Sequence, residues 1–445
     1  MKINIILKEN IRDEFELLDD YTFYLDSIFT NPETSKVKSK IVSHDIFKYL
    51  SGKRGYQINP QNTLVADFAN IALTTYSIDQ IAEREKYGVL GWSRYFNLHI
   101  PVYNLDKWNL VKNDLEQTLS FLSGDKWTVH FRKTTEAFPQ LQDSEFKAKK
   151  VCLFSGGMDS FIGINDLIHK YDRIATISHH KSGNSGELSL QKKLIQEIKT
   201  ANKSTLITPF YFYVQGLKND HFKGEKTQRA RSIIFLALGL LIANTSSDTT
   251  SVIIPENGLI SLNLPLTPAR GGSHSTKTTH PKYITGLNDI FKKIGINNRI
   301  ENPYRFKTKG EMLTECENAD FVREKIRKTL SCSKPGYHKQ WTKVEDDGNN
   351  KDVSNQCGYC VPCIIRRASL YTNGLDKETD YFKGISDNQG DFRAFNYAIS
   401  KYTTKQIVLS EFLKAGSMNL TSREIKKYVN MYIRGIKEVK KFIQA

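Results

Sequence analysis

Long hydrophobic runs are missing from this chain of 445 residues. The longest apolar stretch, Ile233 to Ala243, is far short of the ~20 residues that cross a bilayer as a helix. It is expected to be a buried helix, and no membrane partner is expected. The opening MKINIILKEN has too short an apolar run for a secretory signal, so the expected compartment is the cytoplasm. The Walker A pattern, Gly-x-x-x-x-Gly-Lys-Ser/Thr, does not occur, which removes the commonest phosphate loop. No internal repeat, long low-complexity tract or arginine-rich block occurs either. Cysteine is sparse, six in all, and a disulfide framework is not expected in a cytosolic chain of this size.

What is present describes a globular protein long enough for two or three domains. Hydrophobic residues make up 39% and charged residues 25%, both ordinary values. The formal charge is +16, with lysine and arginine spread along the whole chain. Such a surplus suits nucleotide phosphates, RNA or an acidic protein, and does not choose among them.

Residues 1–148 read as a mixed α+β accessory domain. KINIILK and WTVHFRK have strand character, and VADFANIALTTYSIDQIA and DKWNLVKNDLEQTLSFL have helix character, the second stopped by Gly124. Nothing there has catalytic spacing, and Gln140–Lys150 reads as a linker. From residue 149 strands and helices alternate: KKVCLF, DSFIGINDLIHKY, RIATISHH, ELSLQKKLIQEIKTA, LITPFYFYV, ARSIIFLALGLLIAN and SVIIPEN. Alternation of this kind predicts a parallel sheet with helices on its faces, an α/β domain over 149–370. A cysteine-bearing module occupies 331–367, interrupted by the polar stretch TKVEDDGNNKDVSNQ, which reads as a surface loop. Residues 371–445 read as a helical extension packed on the core. Ligands of parallel sheets sit beyond the carboxyl ends of the strands, and SGGMDS, SHHKSGNSGE and ENGLISLNLP all fall there.

SGGMDS is the most informative of these. Gly156 and Gly157 allow dihedrals and a close backbone approach that a side chain would block. Successive N–H groups in such a turn form an anion nest, reinforced by the dipole of the following helix. Ser155 and Ser160 can add hydroxyl donors, and Asp159 can cap the helix or help hold Mg²⁺. A glycine pair between strand and helix is otherwise plain turn geometry. The second anchor is Cys357, Cys360 and Cys363, three apart, with Cys332 upstream as a fourth thiolate. Four sulfurs make a closed tetrahedral Zn²⁺ site, structural because no coordination position stays open. Cys152, in a predicted strand, and Cys316, in a predicted helix, read as packing residues.

The hexad SGGMDS resembles the PP-loop of the ATP pyrophosphatase superfamily. Together with SC…CGYCVPCIIR it is similar to the 7-cyano-7-deazaguanine synthase (QueC) family over roughly residues 149–370. The resemblance implies a Rossmann-like sheet of the PP-loop (adenine nucleotide alpha hydrolase, HUP-type) class with a structural zinc module. It implies ATP, Mg²⁺ and Zn²⁺ as cofactors, with His179 and His180 near the nucleotide, Arg231 in the active site and Lys309 near the α-phosphate. The region after the fourth strand departs from the family, reading PENGLISLNLPLTPARGGSHSTKTTHPKY. A long chain with this loop is most similar to the QueC-like proteins of antiphage defence operons.

That resemblance implies adenylation of a 7-carboxy-7-deazaguanine-like carboxylate, with release of pyrophosphate. An amine then displaces AMP, and a protein from the same operon is one candidate acceptor. Asp159, Arg231 and Lys309 are the expected catalytic residues. Glu256 and Asn257 follow the fourth strand, and Arg270, Ser273, Ser275, Thr276, Lys277 and His280 lie on a donor-rich loop suited to a heteroaromatic acid, or to ordinary solvation. Rival readings are a genuine nitrile-forming synthase using ammonia, a tRNA-modifying PP-loop enzyme, and a nucleotide-sensing scaffold. Nucleic acid is not the favoured partner.

Overall fold

The computed structural model describes residues 2–10, 12–37, 40–141, 146–181, 186–268, 277–333, 356–382, 384–386 and 389–445. Among the described residues ten strands form two sheets. In chain order they are β1 (Lys2–Lys8), β2 (Thr22–Asp26), β3 (Val42–His44), β4 (Tyr95–Val102), β5 (Lys126–Lys133), β6 (Lys150–Leu153), β7 (Arg173–His180), β8 (Leu206–Gly216), β9 (Ser251–Ile253) and β10 (Ile300–Glu301). The first sheet has the order β2-β1-β4-β5 and the second β10-β9-β6-β7-β8-β3.

The first sheet is parallel throughout, an α/β arrangement in place of the α+β one expected. Crossovers explain this: the Thr63–Ile81 helix lies between β2 and β4, and the Leu105–Leu110 and Lys112–Ser123 helices between β4 and β5. The second sheet is parallel except for β3, which pairs antiparallel with β8. β3 belongs to the N-terminal 148 residues, so that segment contributes an edge strand to the following sheet.

The Thr63–Ile81 helix shows why the N-terminal segment is not set apart. Every residue from Leu64 to Ile81 is buried. A helix buried on every face has to be enclosed, and this one packs on β1 and β4 of one sheet, β8 of the other, and the Arg231–Ser246 helix. One continuous core therefore runs from Ile3 to Ile300 across residue 148. Phe146 and Ala148, in the expected linker, are buried in it.

Asp79, near the end of the same helix, anchors a buried charge network. Arg94 Nη2 pairs with Asp79 at 2.5 Å and with Asp125 at 2.7 Å, and Arg84 joins both carboxylates. The N–H of Ala230 donates to Asp79 at 2.8 Å, and Arg229 Nη1 donates to the Ser123 carbonyl. Burial would raise the Asp125 pKa, but the Arg94 and Arg84 charges hold it below the usual carboxylate range.

The C-terminal extension is helical, as expected: Gly390–Lys401, Lys405–Leu413 and Ser422–Ile443. These helices share a second core with the Gly258–Leu262 and Val361–Thr372 helices, through Leu259, Ile364, Phe395, Met431 and Val439. Among the described residues, no helix is long and apolar enough to cross a membrane.

Candidate functional site

β6 lies between β7 and β9, and the winding of the sheet reverses there. The chain runs β6-β7-β8 to one side and then β9-β10 to the other. Such a reversal opens a crevice beyond the carboxyl ends of the two central strands. SGGMDS follows β6 directly into it. Gly156 has φ +83°, a left-handed value that a Cβ would strain. Gly157 is the N-cap of the Met158–Ile168 helix. A Cβ on Gly157 would stand 3.3 Å from the Leu330 carbonyl oxygen, a tight contact that glycine avoids. The Leu330 N–H donates to the Gly156 carbonyl at 2.9 Å, and the Met158 N–H points at Ser331 Oγ from 3.4 Å. Ser155 Oγ and Ser160 Oγ lie 3.3 Å apart, and Ser160 Oγ donates to the Gly157 carbonyl.

Asp159 neither caps the helix nor faces solvent. Its Oδ2 accepts from the Asn257 N–H at 3.0 Å and from Asn257 Nδ2 at 2.7 Å, and Lys309 Nζ lies 2.7 Å from its Oδ1. Both ion-pair side chains are almost fully buried, 3% and 8% exposed. Burial works to raise the Asp159 pKa, but the Lys309 ammonium outweighs it and holds the carboxyl below its usual range. Glu256 goes the other way: burial, then the neighbouring Asp159 charge, push it well above the ordinary glutamate value. The site favours its protonated form, hydrogen-bonded to Asp159. Its raised pKa means a stability contribution present at low pH and lost as pH rises through the folded value. Glu256→Gln keeps shape and donor, so it is expected to change stability by less than about 1 kcal/mol and to flatten that loss with rising pH. Urea denaturation across pH checks both.

A second group lies at the end of β7. Arg231 Nη2 pairs with Glu187 Oε1 at 2.7 Å, and its Nε donates to His179 Nδ1 at 3.3 Å. His179 Nε2 is 3.0 Å from the Val214 carbonyl. Burial and the Arg231 charge drive the His179 pKa far down, so the ring is neutral, with its proton on Nε2 and both nitrogens engaged. His180 points to the opposite sheet face, its ring 5.9 Å from that of Tyr213, because successive strand residues alternate. Arg231 faces the crevice side while Arg229 is buried against Ser123, the divergence expected of residues two apart on a helix start. Gln191 Nε2 donates to the Ser155 carbonyl at 3.3 Å and joins this group to the glycine turn.

Cys332, Cys357, Cys360 and Cys363 come together, all buried, with their sulfurs within 4.8 Å of one another. The Cys332–Cys360 and Cys357–Cys363 separations are 3.9 and 3.8 Å. A tetrahedron with Zn–S bonds of ~2.3 Å has edges of ~3.8 Å, so the four residues fit a zinc ion. The Cys360 N–H donates to Cys357 Sγ and the Cys357 N–H to Cys332 Sγ, as expected for thiolates. Cys152 and Cys316 are separate and buried. Cys316 lies between the Lys309–Thr314 and Ala319–Lys325 helices, not inside one as expected.

The remaining candidates are dispersed. Asn257 is fully occupied, since its Oδ1 also accepts from the Ile260 N–H as N-cap of the Gly258–Leu262 helix. His280 is the N-cap of the Pro281–Ile294 helix: its Nδ1 accepts from the Lys282 N–H at 3.1 Å, and burial pushes its pKa down to about 3. A neutral imidazole with that task serves the helix. His280→Ala is therefore expected to cost about 1 kcal/mol of stability, read as a shift in denaturation midpoint, with nucleotide affinity unchanged. Lys277 Nζ sits 4.2 Å from the Phe121 ring centre. Arg270, Ser273, Ser275 and Thr276 lie outside the described residues, as does the expected surface loop 342–356 apart from Gln356.

Three side chains near the turn escape a reading of motifs. Lys181 ends SHHK beside Arg231; burial, then the Arg231 charge, lower its pKa to about 8. Gln191 and Ser331 touch the turn itself, and only tertiary structure reveals either. Together these features define a mixed α/β protein with a parallel sheet and a four-cysteine cluster that could hold a metal such as zinc. No protein-family model matches the chain, and no curated protein matches it.

Proposed function

We propose that the chain is a QueC-like enzyme of the PP-loop class that uses ATP to activate a carboxylate. The observation that carries this reading is the placement of the SGGMDS turn: left-handed at Gly156, at the carboxyl end of β6, where the sheet reverses its winding. A turn of that kind, running into a helix N-terminus, suits the β- and γ-phosphates of ATP. Lys309 on one side and Arg231 on the other suit the charge that gathers on the α-phosphate. An ammonium has three donors, so Lys309 can keep Asp159 and still reach a phosphate oxygen.

The proposed chemistry has two steps. A substrate carboxylate oxygen attacks the α-phosphorus; the new O–P bond forms as the bond to the β-phosphate oxygen breaks, and pyrophosphate leaves. An amine then attacks the acyl carbon; the C–N bond forms, AMP departs, and the amine's proton passes to water. The substrate class is a 7-carboxy-7-deazaguanine-like acid, and the acceptor an amine, with an operon-encoded protein as the leading candidate. Asp159 has both oxygens committed, one to Lys309 and one to Asn257, so it does not fit a Mg²⁺ site. Mg²⁺ is assigned to the nucleotide, and no step is routed through it. The four cysteines fit zinc, which would supply only structure there.

Incubating the protein with ATP, Mg²⁺, the deazaguanine acid and candidate amines tests this reading. Acid-dependent pyrophosphate release is expected. Its absence with every acceptor, or equal release without acid, would count against it.

A further inference from the structure

We infer that Glu438, in the C-terminal Ser422–Ile443 helix, is a positioning residue for Lys309; the inference rests on the nucleotide role proposed above. Thr308 and Gly310 flank Lys309 at the start of the Lys309–Thr314 helix. Thr308 Oγ1 donates to Glu438 Oε2 at 2.7 Å, and the Gly310 N–H donates to Glu438 Oε1 at 3.2 Å. The two oxygens of one carboxylate thus hold the chain on both sides of the lysine. Gly310 must lack a side chain for this, because a Cβ there would collide with Glu438 Oε2. Thr308 is also the N-cap of the lysine helix, in a capping box with Glu311. Glu311 in turn pairs with Arg434, one turn before Glu438. The C-terminal helix therefore grips the lysine helix twice, once directly and once through Glu311.

The contacts run from Glu438 to the residues flanking Lys309, from Lys309 Nζ to Asp159, and from Asp159 back along the chain to the glycine turn. A helix more than a hundred residues downstream in sequence fixes the angle at which the lysine enters the crevice. Burial pushes the Glu438 carboxyl up to about 7, against the donors on Thr308 and Gly310. Of the charged groups facing it, Glu311 raises it further and Lys309 lowers it. As a carboxylate Glu438 accepts strongly from both donors; as an acid it carries a proton on one oxygen, and that oxygen becomes the weaker acceptor. The grip is strongest above pH ~7. Stability runs the other way, because a raised carboxyl pKa contributes stability that fades as pH rises through its folded value. Affinity and stability moving in opposite directions is a signature that simple loosening of the fold would not produce.

The test uses the full chain and measures Mg·ATP affinity and melting temperature from about pH 6 to about pH 8. In the wild type, affinity is expected to rise several-fold as pH climbs through neutrality. Glu438→Gln, which resembles the protonated acid at every pH, is expected to be flat and weak, with melting preserved at the acid end. Gly310→Ala, which displaces the same carboxylate, is expected to flatten the profile as well and guards against a folding defect peculiar to one variant. Wild-type profiles in both variants would overturn the inference while leaving the ATP reading intact. Wild-type affinity in Lys309→Ala would likewise overturn the inference alone, whereas no Mg·ATP binding by the wild type at any pH would overturn the ATP reading itself.

Discussion

Cys360→Ser is expected to lose its metal and most of the stability of the residues that follow β6. The wild-type protein is expected to bind one zinc per chain. Cys360 caps and Cys363 lies in the first turn of a helix, Val361–Thr372, whose Ile364, Ile365 and Ala368 lie in the C-terminal core. Cys332 ends the segment that brings Leu330 and Ser331 onto the glycine turn. Arg366 ties these two pieces together, donating to Thr329 Oγ1 and to the Ile326 carbonyl, each at 2.6 Å. One metal would thus hold the helix, the segment and the turn in register. Structural zinc binds small peptide sites with ~10–16 kcal/mol of apparent free energy at pH 7. Whole domains are stable by only ~5–15 kcal/mol, so metal loss is on the scale of unfolding. Metal analysis with thermal melting checks this. Iron with acid-labile sulfide, or a Cys360→Ser protein that melts like the wild type, would contradict it.

Asp159→Asn is expected to destabilise the protein by ~3–5 kcal/mol, the cost of leaving a buried charge without its partner. Lys309 is 3% exposed, and Asp159 is the carboxylate with which it forms its ion pair. The substitution also sets an amide against the two donors of Asn257. The pair's pH dependence has a definite sign. The Asp159 pKa is depressed in the folded state, so its stabilisation is full above the free-aspartate value, ~3.9, and disappears as pH falls through the folded value. Asp159→Asn should remove that acid limb from the stability profile. Combining it with Lys309→Met should recover part of the loss, because the stranded charge is gone. Urea denaturation of the four proteins between about pH 3 and about pH 7 measures all of this. Additive losses in the double variant would show that the two residues do not act as a pair.

The residues that alternate in short, regular units were the ones legible in the sequence. β7 spans Arg173–His180, the whole of RIATISHH, and β6 to β9 arrive in the order the alternation of strand and helix predicts. The cysteine spacing led to four sulfurs that do converge. What escaped a linear reading depends on residues distant in the chain. Lys309 and Asp159 are 150 residues apart, and nothing local in KGEML shows that its lysine is buried against a carboxylate. Glu256 and Asn257 looked like ligand-facing groups, yet both turn inward to Asp159. The N-terminal segment looked self-contained because its strand and helix signals are complete in themselves. Its Thr63–Ile81 helix is buried on every side, and the second layer that encloses it comes from the following sheet.

The most direct test of the account is amide hydrogen exchange with and without Mg·ATP. Slowed exchange over Ser155–Asp159 and at the start of the Lys309–Thr314 helix, abolished in a Gly156→Ala variant that remains folded, is the predicted result. Binding of ATP that leaves those amides unchanged, or no binding at all, would contradict the claim that this glycine turn holds a phosphate.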